Sequence, residues 1–258
     1  MKLLAKVSRQ LTRIFPARPF KIGGSQSVVS FTFDDIPVSS STTGAGILEA
    51  SSVLGTFYVC TGQISGVLDG NLIANDKDVV RLAKAGHEIG CHTVSHASVQ
   101  AISAMDRERE FAENSRSIER ITGLRPCSFS FPYGHAGPVS RQHALKHYLS
   151  ARSVVPGSNH GWCDLGYLKA NAVYHNSYDL DAVRVLLDAC RNHPHWVIFY
   201  THDVSDRPSE WGCTPQELES IVRLAKASNA RILPVKQAIA WFGYHSLLTQ
   251  KNVTSVNA

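Results

Sequence analysis

The sequence predicts an α/β fold, a distorted (β/α)7–8 barrel in a single domain. Runs such as VVSFTF (28–33) and WVIFYT (196–201) are almost continuously apolar, the pattern of parallel strands covered on both faces. Such runs alternate with segments of helical period, as βα repeats do. The 258 residues, 43% of them hydrophobic, suit one domain of this class and are too apolar for a disordered chain. A doubly wound open sheet is the competing architecture.

Strands rich in β-branched and aromatic residues are expected at 28–33, 55–60, 87–91, 127–131, 150–155, 172–174, 196–201 and 230–235. Helices are expected between them at about 43–53, 77–85, 105–122, 138–147, 179–192 and 215–228. Gly86, Gly123 and Pro194 follow three of these helices, where a C′ glycine or a terminating proline belongs. No internal repeat or low-complexity linker divides the chain. No stretch reaches the roughly 18–20 apolar residues that cross a bilayer.

The net charge of +5 is unevenly spread. Residues 1–24 hold Lys2, Lys6, Arg9, Arg13, Arg18 and Lys21 with no acid, leaving 20 basic against 21 acidic residues elsewhere. A neutral body argues against a polyanion-binding fold. Leu3, Leu4, Val7, Leu11, Ile14 and Phe15 share one helical face of this arm. The expectation is a helix packed outside the domain, the alternative an interfacial helix on an anionic membrane surface. Lys6 and Arg9 interrupt any secretory apolar core, so a cytoplasmic protein, peripheral to the membrane in the second case, is expected. The organisation is then a basic arm (1–24), a barrel (25–246) and a polar tail (247–258). Six cysteines stand 23 to 36 residues apart without a C-x-x-C pair, which gives neither a zinc knuckle nor a disulfide scaffold. Cys60, Cys91 and Cys127, inside apolar runs, read as small buried thiols.

Polar residues fall at the strand ends. Asp34 and Asp35 follow the first strand, His92 and His96 the third, Pro132, Tyr133 and Gly134 the fourth, and His202 the seventh. In a parallel barrel these ends open on one face, where such folds build their sites. Taken singly, an Asp-Asp pair is a turn and an H-x-x-x-H two surface histidines; four such coincidences together point to a site. His92 and His96, spaced i, i+4, would share a helical face and suit one metal ion. Two histidines and a carboxylate leave open positions on a divalent ion. A second carboxylate can accept a proton from water and a remote histidine can donate one: parts for metal-assisted hydrolysis of an acyl bond.

T-F-D-D (32–35), H-T-V-S-H (92–96), F-P-Y-G (131–134) and Y-T-H (200–202) resemble, in order and spacing, the polysaccharide deacetylases, the NodB-homology or carbohydrate esterase 4 family. The resemblance implies a distorted β/α barrel and a metal, usually zinc, held by Asp35, His92 and His96. It implies Asp34 as the base that activates metal-bound water, the Tyr133 backbone N–H as oxyanion donor, and His202 as the acid. The implied substrate is an acylated amino-sugar, most often N-acetylated, of a glycan or glycolipid precursor. O-acetyl esterase, deformylase, or a non-catalytic carbohydrate-binding member are the alternatives. Pro132, Trp162 and Trp211 are candidate substrate contacts, the indoles by stacking on a sugar face. Two departures stand out. The family's arginine two residues before the proline is Ser130 here, with Arg152 on the next strand a candidate replacement. The aspartate–tryptophan segment that buttresses the acid histidine has no clean counterpart; Asn159, Trp162 and Asp164 lie in its interval.

Overall fold

All seven residues of the first barrel strand, β1 (Val28–Asp34), are buried in the computed structural model, which describes residues 16–191 and 193–243. Side chains alternate across it. Val29, Phe31 and Phe33 join the core beneath the helices, Phe33 stacking on Phe57 at 4.7 Å. Ser30, Thr32 and Asp34 take the opposite face, where Ser30 Oγ accepts from Trp196 Nε1 at 2.9 Å.

Among the described residues, the main path of the sheet holds six further strands running parallel to β1: β2 (Thr56–Val59), β3 (Glu88–Cys91), β4 (Ser128–Ser130), β5 (Ser150–Arg152), β6 (Asn171–Ala172) and β7 (His195–Thr201). Their order is β6-β7-β1-β2-β3-β4-β5. The β7–β1 pairing runs from Trp196 opposite Val28 to Thr201 opposite Phe33. Between β5 and β6 the ladder is broken. Residues 153–170 fill the gap with an isolated bridge from Arg152 to Leu168 and a bond from Ser153 N–H to Leu168 O (2.9 Å). The barrel is distorted at this breach.

Helices cover it, among them α1 (Ala45–Ala50), α2 (Asp76–Lys84), α3 (Ala104–Thr122), α4 (Pro138–His147), α5 (Leu180–Ala189) and α6 (Pro215–Ala227). Capping boxes start α2 at Asn75 and α6 at Thr214. Ser103 caps α3, which stops on left-handed Gly123 (φ 75°). A π-helical turn, Ser40–Gly44, precedes α1, so this helical segment begins earlier than expected. No helix among the described residues is long and apolar enough to cross a membrane.

Two expectations are corrected. The run 230–235 makes no eighth barrel stave; only Arg231–Ile232 pairs, in parallel, with the start of β1, because Pro234 and the turn into residues 235–243 end it. The end of the basic arm is part of the domain. Pro19–Lys21 pairs antiparallel with Trp162–Asp164, and the Arg18 guanidinium caps α4 through the carbonyls of Leu145, Tyr148 and Leu149 (2.7–2.9 Å). The amphipathic run 3–15 and the tail 247–258 lie outside the described residues.

The barrel end opposite the aspartates is closed by polar groups. Glu88 accepts from Ser128 Oγ (2.6 Å), Thr56 Oγ1 (3.1 Å) and Lys236 N–H (2.7 Å). His87 bonds Gly55 N–H (2.9 Å) and Glu49 (3.1 Å), the structural role its position suggests. Above them the Tyr58 ring lies over Gly90, where a Cβ would sit 2.4 Å from it. Gly90→Ala should therefore lower stability by about 1–3 kcal/mol, as overpacking does. Urea melts check this, and an unchanged midpoint would remove the steric account.

Candidate active site

Asp34 ends β1 on the face opposite the phenylalanines, and Arg152 ends β5 across the barrel. Their side chains form a buried ion pair, Arg152 Nη2 to Asp34 Oδ2. Ser130 Oγ joins both, 3.5 Å from Asp34 Oδ2 and hydrogen-bonded to Arg152. Arg152 thus supplies, from the next strand, the cation missing at Ser130. Its guanidinium also lies 4.4 Å from the Tyr200 ring centroid. Burial would raise the Asp34 carboxyl, but the Arg152 charge, with His92 and His202, holds it below its usual range. Asp34 Oδ1 is buried without a hydrogen-bond partner among the described residues.

Asp35 turns the chain at φ 61° and faces three imidazoles. His92 Nε2 and His96 Nε2 stand 3.7 and 3.6 Å from its Oδ1, and His202 Nε2 stands 3.8 Å from its Oδ2. Burial first, then the Asp34 charge, raises the Asp35 carboxyl to about 7. His92 Nδ1 donates to Ser130 O at 2.8 Å, so the ring presents a bare Nε2 to Asp35. Burial lowers His92 to about 3 and depresses His96, keeping both in the neutral, ligating form.

The i, i+4 histidines do not share a helix. Residues 92–103 form a loop in which Thr93 (φ 69°) and His96 (φ 58°) are left-handed, and the turn rather than helical pitch brings the rings together. Glu110 on α3 holds that loop, accepting from Val94 N–H (2.7 Å), Ser95 N–H (3.0 Å) and Ser95 Oγ (2.7 Å). Asp35, Ile36, Thr93, His96 and Tyr133 are all non-glycine residues at positive φ. Strain gathered this way marks functional loops.

His202 donates Nδ1–H to Trp211 O (3.2 Å), leaving Nε2 toward Asp35. The buttress is thus a backbone carbonyl instead of an aspartate–tryptophan side-chain pair. The carbonyl is aimed by Asp203, which is buried and accepts from Ser209 N–H and Oγ, under Gly212, whose Cβ would collide with it at 2.3 Å. The Trp211 ring packs edge-on against Tyr174 (5.5 Å) at the site's rim. Tyr133 is left-handed (φ 58°), its N–H bonds no backbone carbonyl among the described residues, and its exposed ring lies 4.4 Å from His96. Pro132 is buried and sets this turn, so it positions Tyr133 and makes no open sugar platform. Trp162, 71% exposed, lies apart. It lines a groove of about 800 Å³ with Pro19, His160, Tyr167 and Lys169, and none of the carboxylates or imidazoles above borders it.

Two neighbours are not marked as site residues by the sequence. Cys60 donates to His92 O (2.9 Å) and lies 3.6 Å from Asp35 Oδ1; Asp35, Cys60 and His92 have donor atoms all within 4.8 Å. Burial pushes this thiol up. Asp69, at the turn between Val67–Leu68 and Asn71–Leu72, adds negative charge that raises Asp35 further. Neither carries a motif; only proximity identifies them. The donor set fits a divalent transition metal: neutral imidazoles, and a buried carboxyl that lacks a cation of its own.

The sequence model of the family described as polysaccharide deacetylase matches residues 21–151. A chitin deacetylase from Colletotrichum lindemuthianum is 27% identical over 106 residues, which is 41% of this chain and 42% of that protein, so the match spans less than half of the relative. The carbohydrate esterase 4 domain of a multidomain xylanase from the hindgut metagenome of Trinervitermes trinervoides aligns with a TM-score of 0.57 at 19% identity, covering 85% of this chain and 92% of that one. A pseudoenzyme of carbohydrate esterase family 4 from Bacillus anthracis aligns at 0.60 and 14%, covering 87% and 69%. At these identities the structural likeness is one of fold.

Removing Arg152 strands a buried carboxylate. Arg152→Met should cost about 3–5 kcal/mol, and adding Asp34→Asn should restore part of it; equal melts for the single and double variants would dismiss the pair. Asp35 behaves oppositely. With its carboxyl raised from 3.8 to about 7, the chelated protein loses stability as pH rises between those values, up to roughly 4 kcal/mol at about 1.4 kcal/mol per pH unit. Asp35→Asn should stabilise the chelated protein at pH 8 and lose that advantage by pH 3.5. Thermal melts at both pH values decide it.

Proposed function

The chain belongs to the polysaccharide deacetylase family, and from that premise we propose that it is a metal-dependent hydrolase removing an acyl group, N-acetyl in our reading, from an amino-sugar of a glycan or glycolipid precursor. The observation that carries the reading is the division between adjacent carboxyls. Asp34 is ionised, clamped by Arg152 and left with one unpartnered oxygen, while Asp35 stands among three imidazole nitrogens. Asp35, His92 and His96 would hold one divalent ion, zinc first among candidates, which when bound polarises the acyl carbonyl and acidifies water.

The chain's own groups do the rest. Asp34 Oδ1 takes the proton of the attacking water, and Arg152 keeps Asp34 ionised for that task. The Tyr133 N–H, held outward by its left-handed turn, donates to the oxygen that gains charge. As the carbon–nitrogen bond breaks, His202, protonated on both ring nitrogens for this step, gives its Nε2 proton to the departing amine, and the proton that Asp34 took from water restores it. The Trp211 carbonyl keeps Nδ1 protonated, so Nε2 is the nitrogen that exchanges protons with substrate. The exposed rings of Tyr133 and Trp211 suit stacking on a pyranose face.

The test is acetate release from N-acetylglucosamine oligomers by zinc-loaded protein, with metal content measured in parallel. Asp34→Asn should lower kcat about 10²–10⁴-fold with its metal retained, whereas His96→Ala should lose both metal and activity. Full turnover by Asp34→Asn would sink the assigned base. Sugar binding without turnover of any acylated substrate would favour a binding role.

A further inference from the structure

A second set of metal donors lies outside the barrel mouth. His143 and His147 stand one turn apart on α4, and Glu108 projects from α3 beside them. His143 Nε2 is 2.6 Å and His147 Nε2 3.1 Å from the same Glu108 oxygen, and the donor atoms of all three lie within 4.8 Å of one another. Here the i, i+4 histidines do share a helical face, the spacing that lets two imidazoles reach one ion. Both rings are fixed. Each is about 15% exposed and packs on buried Phe111, with centroids at 5.6 and 5.5 Å. Glu108 is half exposed, so water has access to complete a coordination shell.

We propose that Glu108, His143 and His147 form a second binding site for a divalent transition-metal ion such as zinc, clamping α3 to α4. Two imidazoles and one carboxylate are a donor set that suits such an ion. The clamp would join two catalytic segments. α3 carries Glu110, which holds the His92–His96 loop, and α4 follows the Tyr133 turn. A divalent ion here would thus brace the frame of both loops without touching the reacting atoms.

The experiment is zinc titration of chelator-stripped full-length protein against a chromophoric chelator, with thermal melts. The parent should bind two equivalents, and His143→Asn/His147→Asn and Glu108→Gln one each. His92→Asn/His96→Asn should retain one equivalent and still be stabilised by zinc; adding the His143 and His147 changes should abolish both effects. Equal stoichiometry in the parent and in His143→Asn/His147→Asn, with melts showing both folded, would overturn the second site. A single equivalent lost only in His143→Asn/His147→Asn would uphold it while overturning the catalytic metal, so the two readings fail separately.

Discussion

The buried contact between Arg152 and Asp34 is the constraint on which the rest of the site depends. A buried carboxylate at the end of a strand is tolerated only with a counter-charge and its hydrogen bonds. The guanidinium supplies both and is itself steadied by Ser130 and the Tyr200 ring. Burial raises the next carboxyl along the chain toward neutrality, and the charge of Asp34, locked as an anion, raises it further. Adjacent residues of one chemical type thereby differ in charge, one an anion clamped by arginine and the other a carboxyl that a cation would favour.

The barrel makes this possible through alternation. Even-numbered residues of β1 and β5, and the residue just after β7, give Asp34, Arg152 and His202 one common face, while odd-numbered phenylalanines anchor the strands beneath the helices. The loops that carry Asp35, His96 and Tyr133 then bend through left-handed residues that glycine does not occupy. Such conformations persist only when neighbours hold them. Glu110 does so for the histidine loop, Pro132 for the Tyr133 turn, and Asp203 with Gly212 for the Trp211 carbonyl.

Strand and helix periods, capping residues and the placement of Asp34, Asp35, His92, His96, Tyr133 and His202 after strands were legible because they are local. Period two and period 3.6 are properties of a few consecutive residues. The same locality explains the misreadings. An i, i+4 pair of histidines looks helical wherever it occurs, yet it is helical at 143 and 147 and a turn at 92 and 96. An exposed indole looks like a sugar platform, yet Trp162 borders a different groove from the carboxylates, on a strand paired with the end of the arm.

By itself, then, the sequence determined the class of fold, the order of its elements and which residue types stand at the strand ends, since hydrophobic period and turn chemistry act over short range. Tertiary structure alone decided which cation neutralises Asp34, how Asp35 titrates, and that Cys60, Glu110 and the Trp211 carbonyl adjoin the candidate site. Those outcomes depend on distance and burial between segments separated by tens of residues. Charge interactions and desolvation are set by what folding brings together, and no short stretch of chain encodes that.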